Sequence, residues 1–135
     1  MPNDHKFQFE GELIGFKVCQ DENESICGLI CIFKDKNGKR EEKVQGKRSN
    51  IELQWIVDSN DRIAKLYGSF TEQSYLNELV IVSQSGRSGV FGSAAQDSFN
   101  IDLKTNEKIS GCFGAHRELG QDNRITELGF WIERN

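Results

Sequence analysis

The chain has 135 residues, and its 17 Lys and Arg against 21 Asp and Glu give a net charge of −4 at neutral pH. This length suits one domain around a single hydrophobic core, and we expect one domain over residues 1–135. The acidic balance argues against a nucleic-acid partner, because binding to a phosphate backbone requires a basic face. The longest apolar run, residues 29–33, is far below the roughly 20 residues that span a membrane. The first residues lead into no apolar signal-peptide core, so a cytoplasmic location is expected.

Short runs in which apolar and polar residues alternate predict β-strands throughout the chain. The runs are rich in β-branched and aromatic residues, which strands favour, and they cover residues 26–33, 51–57, 62–70, 76–82, 98–103, 108–113 and 125–132. Asn37-Gly38 predicts a type I′ hairpin turn, since both residues tolerate a positive φ, and the charged run 39–44 then forms a solvated hairpin arm. No segment predicts a helix. The expected fold class is therefore all-β.

Similar segments recur about every 50 residues. Residues 25–32, 75–82 and 124–131 align with one another, residues 50–53 recur at 100–103, and residues 62–68 recur at 108–114. Such a period built from strands indicates three copies of one β unit. The third copy lacks a closing strand at its end, so we expect the N-terminal strand material, at residues 7–9 and 13–14, to complete the third sheet. Three sheets about a pseudo-threefold axis would form a closed prism with few exposed edges.

These segments resemble the jacalin-related lectins. The resemblance runs from about Leu13 to the end of the chain, and its most specific stretches are residues 58–68, 76–82, 85–92, 109–114 and 125–129. It implies a β-prism of three Greek-key, four-stranded sheets, with the N-terminal strand completing the third. In that family the sugar lies between an N-terminal glycine-rich loop and an aspartate just before the final core strand. The carboxylate accepts hydrogen bonds from adjacent sugar hydroxyls.

This chain departs from the family's sugar site at the aspartate. Thr126 occupies that position, three residues before Gly129, and the corresponding residues of the other repeats are Asn77 and Cys27. The family's N-terminal glycine pair is also absent. We therefore expect an altered sugar site, built from a polar loop at residues 115–124 and a loop at residues 69–75. The residues expected to contact the sugar are Tyr75, Asn77, His116, Gly120, Asp122, Asn123, Arg124 and Thr126.

No acid–base pair, nucleophile or metal constellation emerges from the sequence, so we expect no enzyme, no cofactor and no metal. Cys27 and Cys31 are expected on one face of a strand as small core residues rather than metal ligands. His116 is expected in a loop, either simply solvated or contacting ligand. Trp55 and Trp131 are expected to pack in the core or on a sheet.

The sequence leaves two functions of different classes open. The first is a carbohydrate-binding module with an altered site, whose partner is a glycan or glycoprotein. The second is a scaffolding subunit that uses the prism for protein–protein contacts, as a homo-oligomer or within a larger intracellular assembly. A fold alone does not choose between them.

Overall fold

The computed structural model describes residues 4–119 and 122–134. This part of the chain contains no helix and forms the following strands: β1 (Asp4–Glu10), β2 (Glu12–Gln20), β3 (Ile26–Lys34), β4 (Arg40–Gly46), β5 (Ile51–Ile56), β6 (Ile63–Phe70), β7 (Leu76–Ser83), β8 (Ser88–Gly92), β9 (Asp97–Asp102), β10 (Glu107–Leu119) and β11 (Asp122–Arg134). The all-β prediction is confirmed.

The strands form three antiparallel sheets. The first has the order β4-β3-β2-β5 and the second β8-β7-β6-β9, so in each the fourth strand in sequence lies beside the first, as in a Greek key. The third has the order β1-β10-β11, in which β1 takes the place beside β10 that β5 and β9 hold in the other sheets. The N-terminal strand therefore completes the third sheet, as predicted, but residues 13–14 belong to β2 in the first sheet. That sheet was expected to have four strands and has three in the described part of the chain, because nothing there pairs with the free edge of β11.

The inner faces of the three sheets share one hydrophobic core. Fully buried side chains come from each sheet, including Phe16 and Leu29 from the first, Leu79 from the second, and Cys112 and Ile125 from the third. Partial burial of alternate residues along strands such as β9 accounts for the alternating pattern in the sequence, whereas β3 is buried at every residue from Ile26 to Phe33.

The hairpin at residues 35–39 differs from the predicted type I′ turn. Gly38 has φ +79°, whereas Asn37 does not adopt a positive φ. The amide of Gly38 donates to the carbonyl of Asp35 (3.0 Å), and the amide of Asp35 donates to the carbonyl of Lys39 (2.9 Å), which describes a type I turn followed by a left-handed glycine. The Asp35 carboxylate also accepts from the amides of Asn37 and Lys39, both at 2.8 Å, and so stabilises this wider loop.

Two predicted irregular segments prove to be strands. Residues 115–124 were expected to form a polar loop, but β10 and β11 remain paired from Ala115↔Glu127 to Leu119↔Asp122. The paired ends of β10 and β11 are mostly polar, so no alternation of apolar residues in the sequence indicates that they are strands. Residues 88–92, for which the sequence predicted no strand, form β8 on the edge of the second sheet.

Candidate functional site

A β-bulge occurs at the same position in each of the three sheets. The register of paired residues skips Cys27 in β3, Asn77 in β7 and Thr126 in β11. These are the three repeat positions that the sequence aligns with the family's sugar-binding aspartate. A bulge bends its strand and redirects the side chain of the extra residue. The three sheets therefore share a backbone feature suited to presenting a functional side chain, although the side chains themselves differ.

The bulges of the first two sheets are held by a glycine in the left-handed conformation. At the end of β4, Gly46 has φ +83°, and a Cβ there would lie 2.7 Å from the carbonyl oxygen of Cys27. The next amide, that of Lys47, donates to that same carbonyl at 3.1 Å. The second sheet repeats the arrangement, since Gly92 has φ +75° and a Cβ there would lie 1.9 Å from the carbonyl oxygen of Asn77. Only glycine suits both the conformation and the space.

The bulge at Cys27 lies in a groove between three segments of the chain, which we call the apical groove. It has a volume of about 370 Å³. Its walls are the β2–β3 turn, the linker from β4 to β5, and the start of β11. The lining residues are Gln20, Asp21, Glu22, Cys27, Lys47, Arg48, Ser49, Asn50, Ile51, Asn123 and Arg124.

Two ion pairs fix the walls of the apical groove. One oxygen of Asp21 accepts from the amides of Asn23 (2.9 Å) and Ser25 (3.0 Å), and the other lies 3.3 Å from the guanidinium of Arg124. Asp21 thus holds its own hairpin and ties it to β11. On the opposite wall Arg48 donates to Glu52 at 3.0 Å, and this hydrogen bond lowers the pKa of Glu52 and raises that of Arg48.

Cys27 is a poor replacement for the family's carboxylate. Its thiol is nearly buried and lies 3.5 Å from the carbonyl of Cys19 and 3.6 Å from that of Lys47. Burial raises the pKa of the Cys27 thiol, so the group is neutral at neutral pH. The apical groove therefore lacks a charged acceptor at its bulge, and its binding groups come from the walls.

The bulge at Thr126 lies in a second concavity, which we call the lateral groove. It is lined by Phe70, Ser74, Asp97, Phe113, Thr126, Glu127 and Leu128. The Thr126 hydroxyl donates to the carbonyl of Ala115 over 3.4 Å, a long hydrogen bond that leaves its oxygen able to accept another. The lateral groove thus brings Thr126 near the loop that precedes β7.

The predicted sugar contacts do not form one site. Asn123 and Arg124 line the apical groove, whereas Thr126 lines the lateral groove. Asn77 is separate from both sets, and its amide donates to the carbonyl of Ser93 at 2.8 Å. Tyr75 lies in the β6–β7 hairpin, where its amide donates to the hydroxyl of Thr71.

The prediction of a loop position for His116 is wrong. His116 lies in β10, where its Nδ1 is hydrogen-bonded to the side-chain amide of Gln45 on β4 and its Nε2 lies 3.4 Å from Glu118. The imidazole thus joins the third sheet to the first. Gly120 lies outside the described residues, and of Asp122 only the backbone pairing with Leu119 is described.

Sequence reasoning missed the linker at residues 47–51 and the role of the β2–β3 turn in the apical groove. The acidic residues Asp21 and Glu22 line this groove, although an acidic run of this kind is usually a solvated loop. Cys27 and Cys31 were predicted to share a face and do not, because the bulge turns Cys27 towards Cys19 and Ile30. Both are nevertheless small buried residues.

Within residues 4–119 and 122–134, no three His, Cys, Asp or Glu side chains are grouped as metal ligands. No helix in those residues is long and apolar enough to cross a membrane.

Comparisons with known proteins agree on the family and the fold. No curated protein matches the chain by sequence. Among solved structures, the prostate-specific WGA16 glycoprotein lectin superposes with a TM-score of 0.79 at 17% identity, covering 99% of this chain and 94% of that one. Malaysian banana lectin superposes with a TM-score of 0.72 at 17% identity, covering 100% and 92%. Artocarpin in its mannopentose complex superposes with a TM-score of 0.73 at 14% identity, covering 98% and 91%.

These similarities identify the three-sheet arrangement as a β-prism. The sequence model of the jacalin-like lectin domain matches residues 3–130, which is nearly the whole chain. The chain belongs to the jacalin-like lectin domain family.

Proposed function

We propose that this protein is a non-catalytic carbohydrate-binding module whose glycan occupies the apical groove, a sugar site altered from that of the family. The observation that carries the proposal is the convergence of three polar segments on the bulge at Cys27, around a volume of about 370 Å³. That volume lies within the range of about 300–1,000 Å³ typical of small-ligand sites.

The walls of the apical groove supply the hydrogen bonds that a sugar requires. Asn50 carries an amide that both donates and accepts, and Glu22 carries an acceptor carboxylate; both are exposed. Adjacent sugar hydroxyls also donate and accept, so amide and carboxylate pairs match them well. The Arg124–Asp21 pair keeps the two walls in place before the ligand arrives.

The known structures guide the choice of first ligand. Artocarpin was crystallised with mannopentose, so mannose oligosaccharides are the first probes for this chain. The altered bulge residue predicts a specificity that differs from that of lectins with a carboxylate there.

The test is a glycan-array screen of the wild-type protein beside two double variants. Glu22→Ala/Asn50→Ala removes exposed groups from the apical groove. Glu72→Ala/Asn100→Ala removes the same two residue types 50 residues further on, at exposed positions outside the apical groove. We expect glycan retention by the wild type and Glu72→Ala/Asn100→Ala, and its loss in the apical variant, with the urea midpoint unchanged in all three.

Other outcomes would overturn the proposal. Retention by the apical variant together with its loss in Thr126→Ala would assign the sugar to the lateral groove instead. Absence of glycan binding by the wild type, combined with a stable co-purifying protein partner or a defined oligomer, would favour the scaffolding function.

A further inference from the structure

Two aromatic rings are exposed side by side on the outer face of the third sheet. Phe113 on β10 and Trp131 on β11 have ring centroids 5.0 Å apart and ring planes 38° apart. Phe113 is 40% exposed and Trp131 is 37% exposed. Trp131 was predicted to pack in the core or on a sheet, and it packs on the sheet's outer surface. We call these two residues the aromatic pair.

Glycines opposite the aromatic pair hold the rings against the sheet. Phe113 pairs with Gly129 and Trp131 with Gly111. A Cβ on Gly129 would lie 2.4 Å from the Phe113 ring, and one on Gly111 would lie 2.6 Å from the Trp131 ring. Each ring therefore leans over the neighbouring strand and is positioned before any ligand binds, which lowers the entropic cost of binding.

Hydrogen-bonding groups border the aromatic pair on both sides. A shallow hollow beside it is lined by Lys6, Gln8 and Glu127 as well as by the two rings. On the other side, Phe113 also forms part of the lateral groove with Ser74 and Asp97. An apolar platform between polar rims is the usual form of a site that orients a polar ligand with an apolar face.

The area of the aromatic pair suits a sugar better than a protein. An aromatic side chain has roughly 150–250 Å² of surface, so two rings exposed by about two-fifths offer on the order of 150 Å². A stable protein interface needs about 800 Å² from each partner. The charged side chains of Lys6, Glu10 and Glu133 lie on the same face and interrupt any larger apolar surface.

We propose that the aromatic pair is a second carbohydrate-contact surface, separate from the apical groove, that stacks against the C–H faces of an extended β-1,4-linked oligosaccharide. Such pyranoses carry equatorial hydroxyls and so expose an apolar C–H face, which suits the small apolar area of the aromatic pair and the polar side chains beside it. Lys6, Gln8 and Glu127 would then contact the hydroxyls at the edges of the sugars. The ligand class rests on the proposed function, but the surface does not depend on the apical groove.

The chain carries its own reporter for this interaction. Of its two tryptophans, Trp55 is only 7% exposed and lies under the guanidinium of Arg87, whereas Trp131 is exposed in the aromatic pair. Titration with cellohexaose should therefore change the fluorescence of Trp131, and mannopentaose serves as a probe of different shape. We expect a saturable change with cellohexaose in the wild type and in Glu22→Ala/Asn50→Ala.

Three variants complete the experiment. Trp131→Ala should abolish the fluorescence change, and Phe113→Ala should keep the reporter but bind about tenfold more weakly, a loss of the size expected for one aromatic contact. Phe113→Tyr, which keeps a ring, should bind like the wild type. A urea midpoint within error of the wild type confirms that each variant folds.

The proposal is overturned if cellohexaose leaves the wild-type fluorescence unchanged or if Phe113→Ala binds as well as the wild type. It is also overturned if Glu22→Ala/Asn50→Ala abolishes the response, since the sugar then binds only at the apical groove. A change of oligomeric state in Trp131→Ala would instead make the pair a contact between copies of the chain. Failure of the proposed function would be seen separately, because that function is tested by glycan retention of the wild type and Glu22→Ala/Asn50→Ala on the array and not by the fluorescence of Trp131.

Discussion

Gly46 and Gly38 offer a matched test of how the bulge at Cys27 is held. Gly46 ends β4 and Gly38 lies in the hairpin that leads into β4, and the two have nearly equal positive φ values, +83° and +79°. A Cβ on Gly38 would meet no atom within 4 Å, whereas one on Gly46 would lie 2.7 Å from the carbonyl oxygen of Cys27. Alanine at either position incurs the strain of the left-handed conformation, but only at Gly46 does it also displace the bulge.

The magnitudes follow from these two contributions. A left-handed conformation costs an L-residue roughly 1–2 kcal/mol, which is the expected loss for Gly38→Ala. In Gly46→Ala the carbonyl of Cys27 must also move, which breaks its hydrogen bond from the Lys47 amide, worth about 1 kcal/mol, and disturbs the packing around it. We therefore expect Gly46→Ala to lower the free energy of unfolding by about 3 kcal/mol.

Urea denaturation followed by tryptophan fluorescence measures the loss of unfolding free energy in both variants. Glycan retention on the array measures whether the apical groove still binds. Gly38→Ala should retain glycan as well as the wild type, since its hairpin lies away from the groove-lining residues. Gly46→Ala should bind less even at low temperature, where it is folded, because Lys47 moves with the bulge. Equal destabilisation by the two substitutions would refute the argument that the Cys27 carbonyl fixes the need for glycine at residue 46.

The remaining predictions concern titration and burial. Hydrogen bonds from Ser85 lower the pKa of Asp61 from 3.8 to about 2, so the native state is favoured by the ionised carboxylate; this contribution is present above about pH 4 and is lost as the pH falls towards 2. Urea midpoints of the wild type and Asp61→Asn should accordingly differ at about pH 6 and converge near pH 2, and a constant difference would contradict the assignment. Cys31 and Cys112 are fully buried with their sulfur atoms 3.2 Å apart, and burial raises the pKa of the Cys31 thiol. Both should resist a thiol reagent in the native protein, while all four cysteines react in urea; rapid native labelling of Cys31 would show that the core opens readily. Leu79→Ala, at a fully buried position, should lower the free energy of unfolding by about 2–5 kcal/mol.

Sequence reasoning succeeded where the strands are well buried. β3 and β7 lie between two neighbours in their sheets and are buried over most of their length, so their apolar residues are dense enough to detect. The repeat of about 50 residues then gave the number of sheets, and the missing strand of the third copy pointed to β1. These inferences need only local pattern and counting.

The same reasoning failed where the backbone departs from regular pairing. A shift between Ile109 and Gly111 in the pairing of β10 with β11 places Cys112 in the core and turns Phe113 outwards. Strict alternation from the buried Ile109 would have placed Phe113 inside. Nothing in the local composition reveals a bulge. The sequence therefore placed Phe113 and Trp131 in strands but did not show that their rings are exposed side by side.

The apical groove was missed for a different reason. Its walls come from residues 20–22, 47–51 and 123–124, which are brought together only by the packing of the first sheet against the third. Each segment by itself is a short polar stretch next to a strand, with no spacing that distinguishes it from other turns. The repeat in the sequence showed that Cys27, Asn77 and Thr126 are equivalent positions. It did not show which groove contains Cys27 or Thr126.

The way the bulges of the first two sheets are held explains how the prism accepts different residues at these positions. In the first two sheets the bulge is fixed by a left-handed glycine and by a hydrogen bond to the backbone carbonyl of the bulge residue, as at Gly46 and Cys27. Neither contact uses the side chain at the bulge. A thiol in the first sheet and an amide in the second therefore stand on nearly the same backbone. It follows that resemblance in fold places the bulges of this chain, whereas the sugar contacts proposed for the apical groove depend on wall residues such as Glu22 and Asn50.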